Sequence, residues 1–202
     1  FMSKMSKKKV IGITGSMGSG KSEISRYLRK KYPVLDCDQV NADLLKKGNL
    51  GYQKLNDLHI VELDSNGEII KESLASYMFS NVEHRKQVEA ILHPLIFDEM
   101  HKWIHEQESL IVFVEMPILF EISAQEHFDS IWCVVADLDV ALSRLQTYRN
   151  FTREQALARL VSQMNPEEKM AKSDIVLRNN STVEQLHMQI EDALKEEKLN
   201  GD

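Results

Sequence analysis

Short apolar runs alternate with longer segments of helical periodicity along the chain. Residues 10–14, 110–115 and 131–136 are mainly apolar over the length of one strand, which is typical of strands covered on both faces of a parallel sheet. Residues 34–36 indicate a further, shorter strand. Strands separated by helical segments predict an α/β fold, with a doubly wound parallel sheet of about five strands.

Local signals mark where several helices begin and end. Ile24, Tyr27 and Leu28 lie at helical spacing within residues 22–32, and Pro33 ends this helix because the residue before a proline is pushed out of helical geometry. Two capping boxes and a proline in the first helical position predict later helices that begin near Arg153, Pro166 and Val183.

Residues 48–108 are too long for a simple connection between strands and too helical in pattern for a loop. An apolar helical stripe follows His93-Pro94. Asp64-Ser65-Asn66-Gly67 is a turn signal that indicates a small hairpin. This segment is therefore predicted to be a helical insert in the sheet domain.

Length and composition indicate one folded globular domain. The chain has 202 residues, of which 43% are hydrophobic and 28% charged. It contains no apolar run near the roughly 20 residues that a membrane-spanning helix needs. The lysine-rich start lacks the apolar segment of a signal peptide, so we expect a cytoplasmic protein with no membrane partner.

Charge and cysteine content disfavour some classes of ligand and partner. The net charge of −6 argues against broad binding to nucleic acid, which draws on a positive field. Cys37 and Cys133 lack the paired spacing of a zinc site and are expected to be buried thiols. Nothing in the sequence indicates an obligate protein partner.

A phosphate-binding loop follows the first strand directly. Residues 15–22 match G-x-x-x-x-G-K-[ST], with a strand before them and a helix after them. Backbone N–H groups of such a loop hold phosphates, its lysine reaches the β- and γ-phosphates, and its serine hydroxyl binds Mg²⁺. The predicted ATP-binding residues are Gly15, Ser16, Met17, Gly18, Ser19, Gly20, Lys21 and Ser22, with Ser22 as the Mg²⁺ ligand.

This pattern alone does not separate kinases from GTPases or motor ATPases. Neither a D-x-x-G after an apolar strand nor an N-K-x-D motif is present, which disfavours a GTPase. Three classes stay open at this point: a small-molecule kinase, a nucleoside or nucleotide kinase of the same architecture, and a nucleotide-dependent switch ATPase.

Further segments resemble the dephospho-coenzyme A kinase family. Besides the phosphate loop, the matching motifs are Val34-Leu35-Asp36-Cys37-Asp38, Leu92-His93-Pro94-Leu95-Ile96, Pro117-Ile118-Leu119-Phe120-Glu121, Arg149-Asn150 with Thr152-Arg153-Glu154, Ala158-Arg159-Leu160 with Gln163, and Asp174-Ile175-Val176 with Asn179. The resemblance covers residues 10 to about 190. It implies transfer of a phosphoryl group from ATP to the 3′-hydroxyl of the ribose of dephospho-coenzyme A, with Mg²⁺ as cofactor, giving coenzyme A and ADP.

The resemblance also implies a division of the chain. We expect a single P-loop kinase domain with a nucleotide core at about 10–47, 109–144 and 173–198. The substrate-binding insert would be about 48–108, and a helical lid about 145–172.

Catalytic roles follow from the same resemblance. Lys21, Asp38 and Arg149 are the predicted catalytic residues, with Asp38 as the base that orients and deprotonates the ribose hydroxyl. Asp36 would support Mg²⁺ through water, unless one of the two aspartates only caps the following helix. Arg149 would cover the γ-phosphate when the lid closes, with Arg144 as the alternative.

On the acceptor side the resemblance implies a second set of residues. The predicted substrate-binding residues are Asp36, Asp38, His93, Pro117 and Glu121. Besides Asp36, Glu115 is a second candidate for contacting Mg²⁺ through water.

Three positions depart from the family's pattern: Ala42 in place of a common arginine, Tyr148 where the lid arginine aligns, and Ser181 in place of a glycine.

Overall fold

The computed structural model describes residues 7–199. The signal-peptide argument rests in part on residues 1–6, which lie outside this range. Within it, no helix is long and apolar enough to cross a bilayer.

A five-stranded sheet forms the centre of the fold. Its strands are β1 (Lys9–Gly15), β2 (Val34–Asp36), β3 (Ile111–Glu115), β4 (Ser130–Val135) and β5 (Ile175–Arg178). They lie in the order β2-β3-β1-β4-β5, and β1 pairs in parallel with both β3 and β4. The predicted parallel α/β sheet is confirmed.

Helices connect the strands. Their bounds are α1 (Lys21–Leu28), α2 (Cys37–Leu44), α3 (Leu50–Asp57), α4 (Lys71–Ser80), α5 (Val82–Glu106), α6 (Leu138–Tyr148), α7 (Arg153–Val161), α8 (Pro166–Ala171) and α9 (Val183–Leu199). A short 3₁₀ helix at Gln125–His127 precedes β4.

The chain divides into two compact units. A core unit contains the residues up to Leu35 and those from Gln107 onward, and a second unit is Asp36–Glu106. The predicted division into a nucleotide core and a substrate-binding insert at about 48–108 stays a prediction. Whether residues 145–172 act as a lid stays a prediction.

The core unit buries the apolar residues of the central strands. Phe113 of β3 and Trp132 of β4 meet edge to face, with ring centroids 5.1 Å apart. α1 and α9 cover the same core through Ile24, Leu186 and Ile190. Burying this continuous apolar surface is the main stabilising contribution to the sheet.

The predicted helix starts in the core unit are confirmed. Thr152 and Gln155 form the capping box of α7, and the Asn165 side chain accepts from the backbone N–H of Glu167 at the start of α8. α1, however, ends at Leu28 before the predicted residue 32. Backbone turns continue from there toward Pro33, as is common at a helix end.

The second unit is mainly helical, as predicted for the insert. Residues 64–67 form the expected turn, closed by the N–H of Asp64 donating to the carbonyl of Glu68 at 2.8 Å. Pro94 lies inside α5, which begins at Val82. Both Pro94 and Ala90, whose carbonyl loses its helical donor, are exposed, so water can hydrate this carbonyl.

Candidate active site

The phosphate loop joins the end of β1 to the start of α1. Gly20 precedes α1 with φ of 96°, a left-handed conformation that favours glycine. A Cβ at this position would lie 2.0 Å from Nδ2 of Asn179. The sequence pattern therefore places a glycine where both the backbone and a neighbouring side chain require it.

Lys21 lies across the loop that precedes it. Its Nζ donates to the carbonyl of Gly15 at 2.8 Å and to that of Ser16 at 3.0 Å. Because Lys21 is also the first residue of α1, its charge adds to the positive end of that helix. The loop, the helix start and the ammonium group together favour a phosphate anion.

One hydroxyl group of the loop supports the same interpretation. Ser19 is buried, and its Oγ has no hydrogen-bond partner among the described residues. Unsatisfied buried polar groups are rare in folded proteins and invite an explanation. A bound oxyanion at the loop would offer this hydroxyl an acceptor.

Arg144 and Asn179 hold the loop in place. The guanidinium of Arg144 donates to the carbonyl of Gly18 at 3.0 Å and to that of Asn179 at 2.8 Å. Nδ2 of Asn179 in turn donates to the carbonyl of Ser19 at 3.0 Å. Burial lowers the pKa of Arg144 from its ordinary value. The end of β5 and the middle of α6 thus fix the backbone of the loop.

Arg149 lies just beyond the end of α6. It follows the last residue of that helix and is exposed. Of the two arginines considered for the lid, Arg144 is the one that contacts the phosphate loop in this structure.

A cavity of about 230 Å³ adjoins the loop. Ser16, Met17 and Ser19 form one wall, and Leu157, Leu160 and Pro166 belong to the side formed by α7 and α8. The N–H of Met17 donates to Oε1 of Gln163 at 3.0 Å. The connection between α7 and α8 is thus tied directly to the loop.

Three predicted residues lie at the end of β3 or shortly after it in the core unit. Glu115 is the buried last residue of the strand and accepts a hydrogen bond from Ser25 Oγ at 2.7 Å. The carbonyl of Pro117 accepts from the Thr14 hydroxyl at 3.0 Å. Glu121 pairs with Lys169, whose Nζ lies 2.8 Å from its Oε1.

The two predicted aspartates stand at the start of α2 in the second unit. Asp36 caps this helix, because its Oδ1 accepts from the N–H of Asp38 at 2.9 Å and from that of Gln39 at 3.4 Å. Asp38 is exposed in the first turn. Of the two, Asp36 thus takes the capping role.

His93 belongs to α5 of the same unit. It is half-buried, and burial lowers its pKa from the ordinary value, while the charge of Glu89 opposes this shift. Its imidazole is therefore held toward the neutral form.

Among residues 7–199, no group of three or more His, Cys, Asp or Glu side chains is placed to hold a metal ion. Mg²⁺ in phosphoryl-transfer sites usually takes only one or two protein ligands beside phosphate oxygens and water. Ser22, in the first turn of α1, carries a hydroxyl suited to that chemistry. Both cysteines are buried as expected, and burial raises the pKa of the Cys133 thiol.

Sequence reasoning assigned no role to Asn179, Gln163 or Lys169. Asn179 follows directly after β5, and residues just beyond the carboxyl ends of parallel strands are the usual place for ligand contacts. The position of Asn179 after a predicted strand could therefore have indicated its role. Lys169, in the run Pro-Glu-Glu-Lys, has the pattern of an exposed helix, so the sequence gave no indication that it is buried.

The family model and the relatives found by sequence agree on one family. A family model described as dephospho-CoA kinase matches residues 9–185. The dephospho-CoA kinase of Bacillus cereus is 34% identical over 192 residues, covering 92% of this chain and 96% of the relative. That of Streptococcus mutans is 34% identical, covering 93% and 96%. A crystal structure from Thermus thermophilus superposes with a TM-score of 0.83 at 32% identity, covering 94% of this chain and 98% of the other.

Proposed function

The chain belongs to the dephospho-CoA kinase family, and we propose on this premise that it phosphorylates the 3′-hydroxyl of the ribose of dephospho-coenzyme A. ATP is the phosphoryl donor, and the products are coenzyme A and ADP, the last step of coenzyme A synthesis. The observation that carries the proposal is the family match over residues 9–185, which includes the whole phosphate loop.

The phosphate loop binds the donor in this proposal. Its backbone N–H groups and the start of α1 hold the phosphates, and Lys21 turns its ammonium from the loop carbonyls toward the β- and γ-phosphates. Ser22 offers its hydroxyl to Mg²⁺, and Asp36 or Glu115 supports the ion through water. When bound, Mg²⁺ offsets the negative charge of the phosphate oxygens during transfer.

Asp38 is the proposed base on the acceptor side. Phosphoryl transfer depends mainly on positioning of the acceptor and on modest help with its proton, a task that suits an exposed carboxylate at a helix start. His93, Pro117 and Glu121 contact the acceptor in this proposal. Residues 145–172 form the lid, and Arg149 covers the transferring group when it closes, with Arg144 as the alternative.

The expected cytoplasmic location and the expected lack of an obligate protein partner are part of the same proposal. They rest on sequence composition and not on the structural contacts described above.

A panel of acceptors tests the function directly. The protein is incubated with ATP, Mg²⁺ and one of dephospho-coenzyme A, AMP, CMP, UMP or adenosine, and the products are identified by mass. We expect one phosphate to be added to dephospho-coenzyme A and little to the other four.

Two other outcomes would contradict the proposal in different ways. Preferential phosphorylation of a nucleotide or of adenosine would identify a kinase of the same architecture with another acceptor. ATP hydrolysis that no acceptor accelerates would instead favour a switch ATPase.

A further inference from the structure

The one buried side chain of α8 is that of a lysine. Lys169 is only 1% exposed, whereas Pro166, Glu167 and Glu168 of the same helix are exposed. Lysine is almost never fully buried unless its charge is paired, because removing an ammonium group from water is costly. The position of this charge therefore requires a reason.

The ammonium group of Lys169 joins α8 to the segment after β3. Nζ lies 2.8 Å from Oε1 of Glu121 and donates to the carbonyl of Pro117 at 3.2 Å. The Thr14 hydroxyl donates to the same carbonyl at 3.0 Å, and Thr14 directly precedes the phosphate loop. Three elements of the core unit thus meet at one ammonium group and one carbonyl.

Attachment of α8 does not by itself explain a lysine. A buried ion pair is often no more stabilising than apolar side chains of similar volume in place of both partners, so two apolar residues would hold the helix about as well. Another contact also anchors this region, since the N–H of Ile131 in β4 donates to Oδ2 of Asp174, just after α8, at 2.8 Å. We therefore expect the charge of Lys169 to serve in holding its two partners, the Glu121 carboxylate and the Pro117 carbonyl, in position.

The two sides of the pair differ in exposure. The Lys169 side chain is 2% exposed, but that of Glu121 is 26% exposed. The buried lysine therefore holds a carboxylate that remains accessible from solvent. Lys169 and Lys21 also both lower the pKa of the Cys133 thiol against the larger effect of burial, so the two ammonium groups lie within electrostatic range of one buried group.

We propose that Lys169 is a positioning residue for phosphoryl transfer, which fixes the Glu121 carboxylate and the Pro117 carbonyl and so orders residues 117–121 for the acceptor. The inference rests on the proposed function, which assigns these residues to the acceptor side. Lys169 itself acts through Glu121 and Pro117.

The test is Lys169→Met, which keeps the volume of the side chain and removes its charge. We expect kcat/KM for dephospho-coenzyme A to fall about 10- to 100-fold, because misplaced contacts on the acceptor side reduce productive alignment. KM for ATP should change less than about twofold, since the contacts of the phosphate loop remain. Lys195→Met, a change of an exposed lysine of α9 that lies outside the proposed lid, is the matched control and should behave as wild type.

A double-mutant cycle asks whether Lys169 acts through Glu121. Glu121→Gln alone should lower the same kcat/KM, and the double variant should be no worse than the poorer single variant. Lys169→Arg keeps the charge and should recover part of the lost kcat/KM. Wild-type kinetics in both Lys169→Met and Glu121→Gln would overturn the proposal. So would a loss of kcat/KM that is as large for ATP as for dephospho-coenzyme A in both variants. If Lys169→Met did not fold, Glu121→Gln alone would test the proposal: a loss of kcat/KM limited to dephospho-coenzyme A would support it, and wild-type kinetics would overturn it.

Hydrogen exchange separates this inference from the proposed function. Backbone amides at residues 118–121 should exchange about 10-fold faster in Lys169→Met than in wild type, without any substrate present. Unchanged exchange would overturn the positioning role. A wild-type protein that does not phosphorylate dephospho-coenzyme A, but shows this difference in exchange, would overturn the proposed function alone.

Discussion

The ammonium group of Lys9 lies 2.7 Å from the carboxylate of Glu197, which ties the first strand of the sheet to its last helix. Glu197 is buried and also accepts hydrogen bonds from Ser130 Oγ and, at 2.9 Å, from Trp132 Nε1. Burial by itself would raise the pKa of Glu197, but these hydrogen bonds and the charge of Lys9 outweigh burial and lower it.

Glu197 should make stability depend on pH. Its folded pKa lies below the ordinary value of 4.5, so its contribution is present above about pH 4.5 and is lost as the pH falls through the folded pKa. We expect Glu197→Gln to lower the free energy of unfolding by about 1 to 3 kcal/mol at neutral pH, and the difference from wild type to shrink in acid. Denaturant unfolding at pH values from 7 to 3 measures the free energy of unfolding of the two proteins and its dependence on pH. The exposed neighbour Glu196→Gln is the control, and a Glu197→Gln deficit that stays constant with pH would contradict the assignment.

Lys21→Ala should remove activity and leave the fold intact. The ammonium group donates to two backbone carbonyls of its own loop, and its charge is needed for the phosphates. We expect kcat/KM to fall by about 100- to 1,000-fold with a near wild-type melting temperature. Lys31→Ala, at an exposed lysine after α1, serves as control. Turnover like that of wild type in Lys21→Ala would argue against the phosphate-loop assignment.

The two aspartates at the start of α2 should respond differently to substitution. Asp38→Asn keeps the shape and removes the base, so turnover should fall roughly 100-fold or more with ATP binding retained. Asp36→Asn should reduce turnover less, because asparagine also caps helices well. Asp36→Ala should additionally cost about 1 kcal/mol of stability through the lost cap. An inactive Asp36→Asn beside an active Asp38→Asn would show that the roles are reversed.

Arg144 and Arg149 can be distinguished by which kinetic constant changes. Arg144 holds the carbonyls of Gly18 and Asn179, so Arg144→Met should raise KM for ATP about tenfold by loosening the loop. Arg149→Met should lower kcat about tenfold with little change in KM for ATP, if Arg149 covers the transferring phosphate. Steady-state kinetics at varied ATP decides between them. The opposite pattern would make Arg144 the lid arginine.

Much of the fold follows from periodicity and from glycine and proline signals. The apolar runs predicted β1, β3 and β4, and the capping boxes predicted where α7 and α9 begin. These features are local, because a strand buried on both faces must be apolar throughout and a helix start must satisfy its own amides. Pro94 shows where such local signals fail. A proline usually begins or ends a helix, but Pro94 lies inside α5, in an exposed turn that tolerates it.

The sequence by itself determined the phosphate loop, since the spacing of Gly15, Gly20 and Lys21 encodes a backbone conformation and a charge within eight consecutive residues. Only the tertiary structure decided which distant groups hold that loop and its surroundings. Arg144 and Asn179 reach it from the third and fourth quarters of the chain, and Lys169 is buried against Glu121 from a helix whose sequence has the pattern of a surface. Such contacts join residues far apart in sequence, and no local preference of the backbone specifies them.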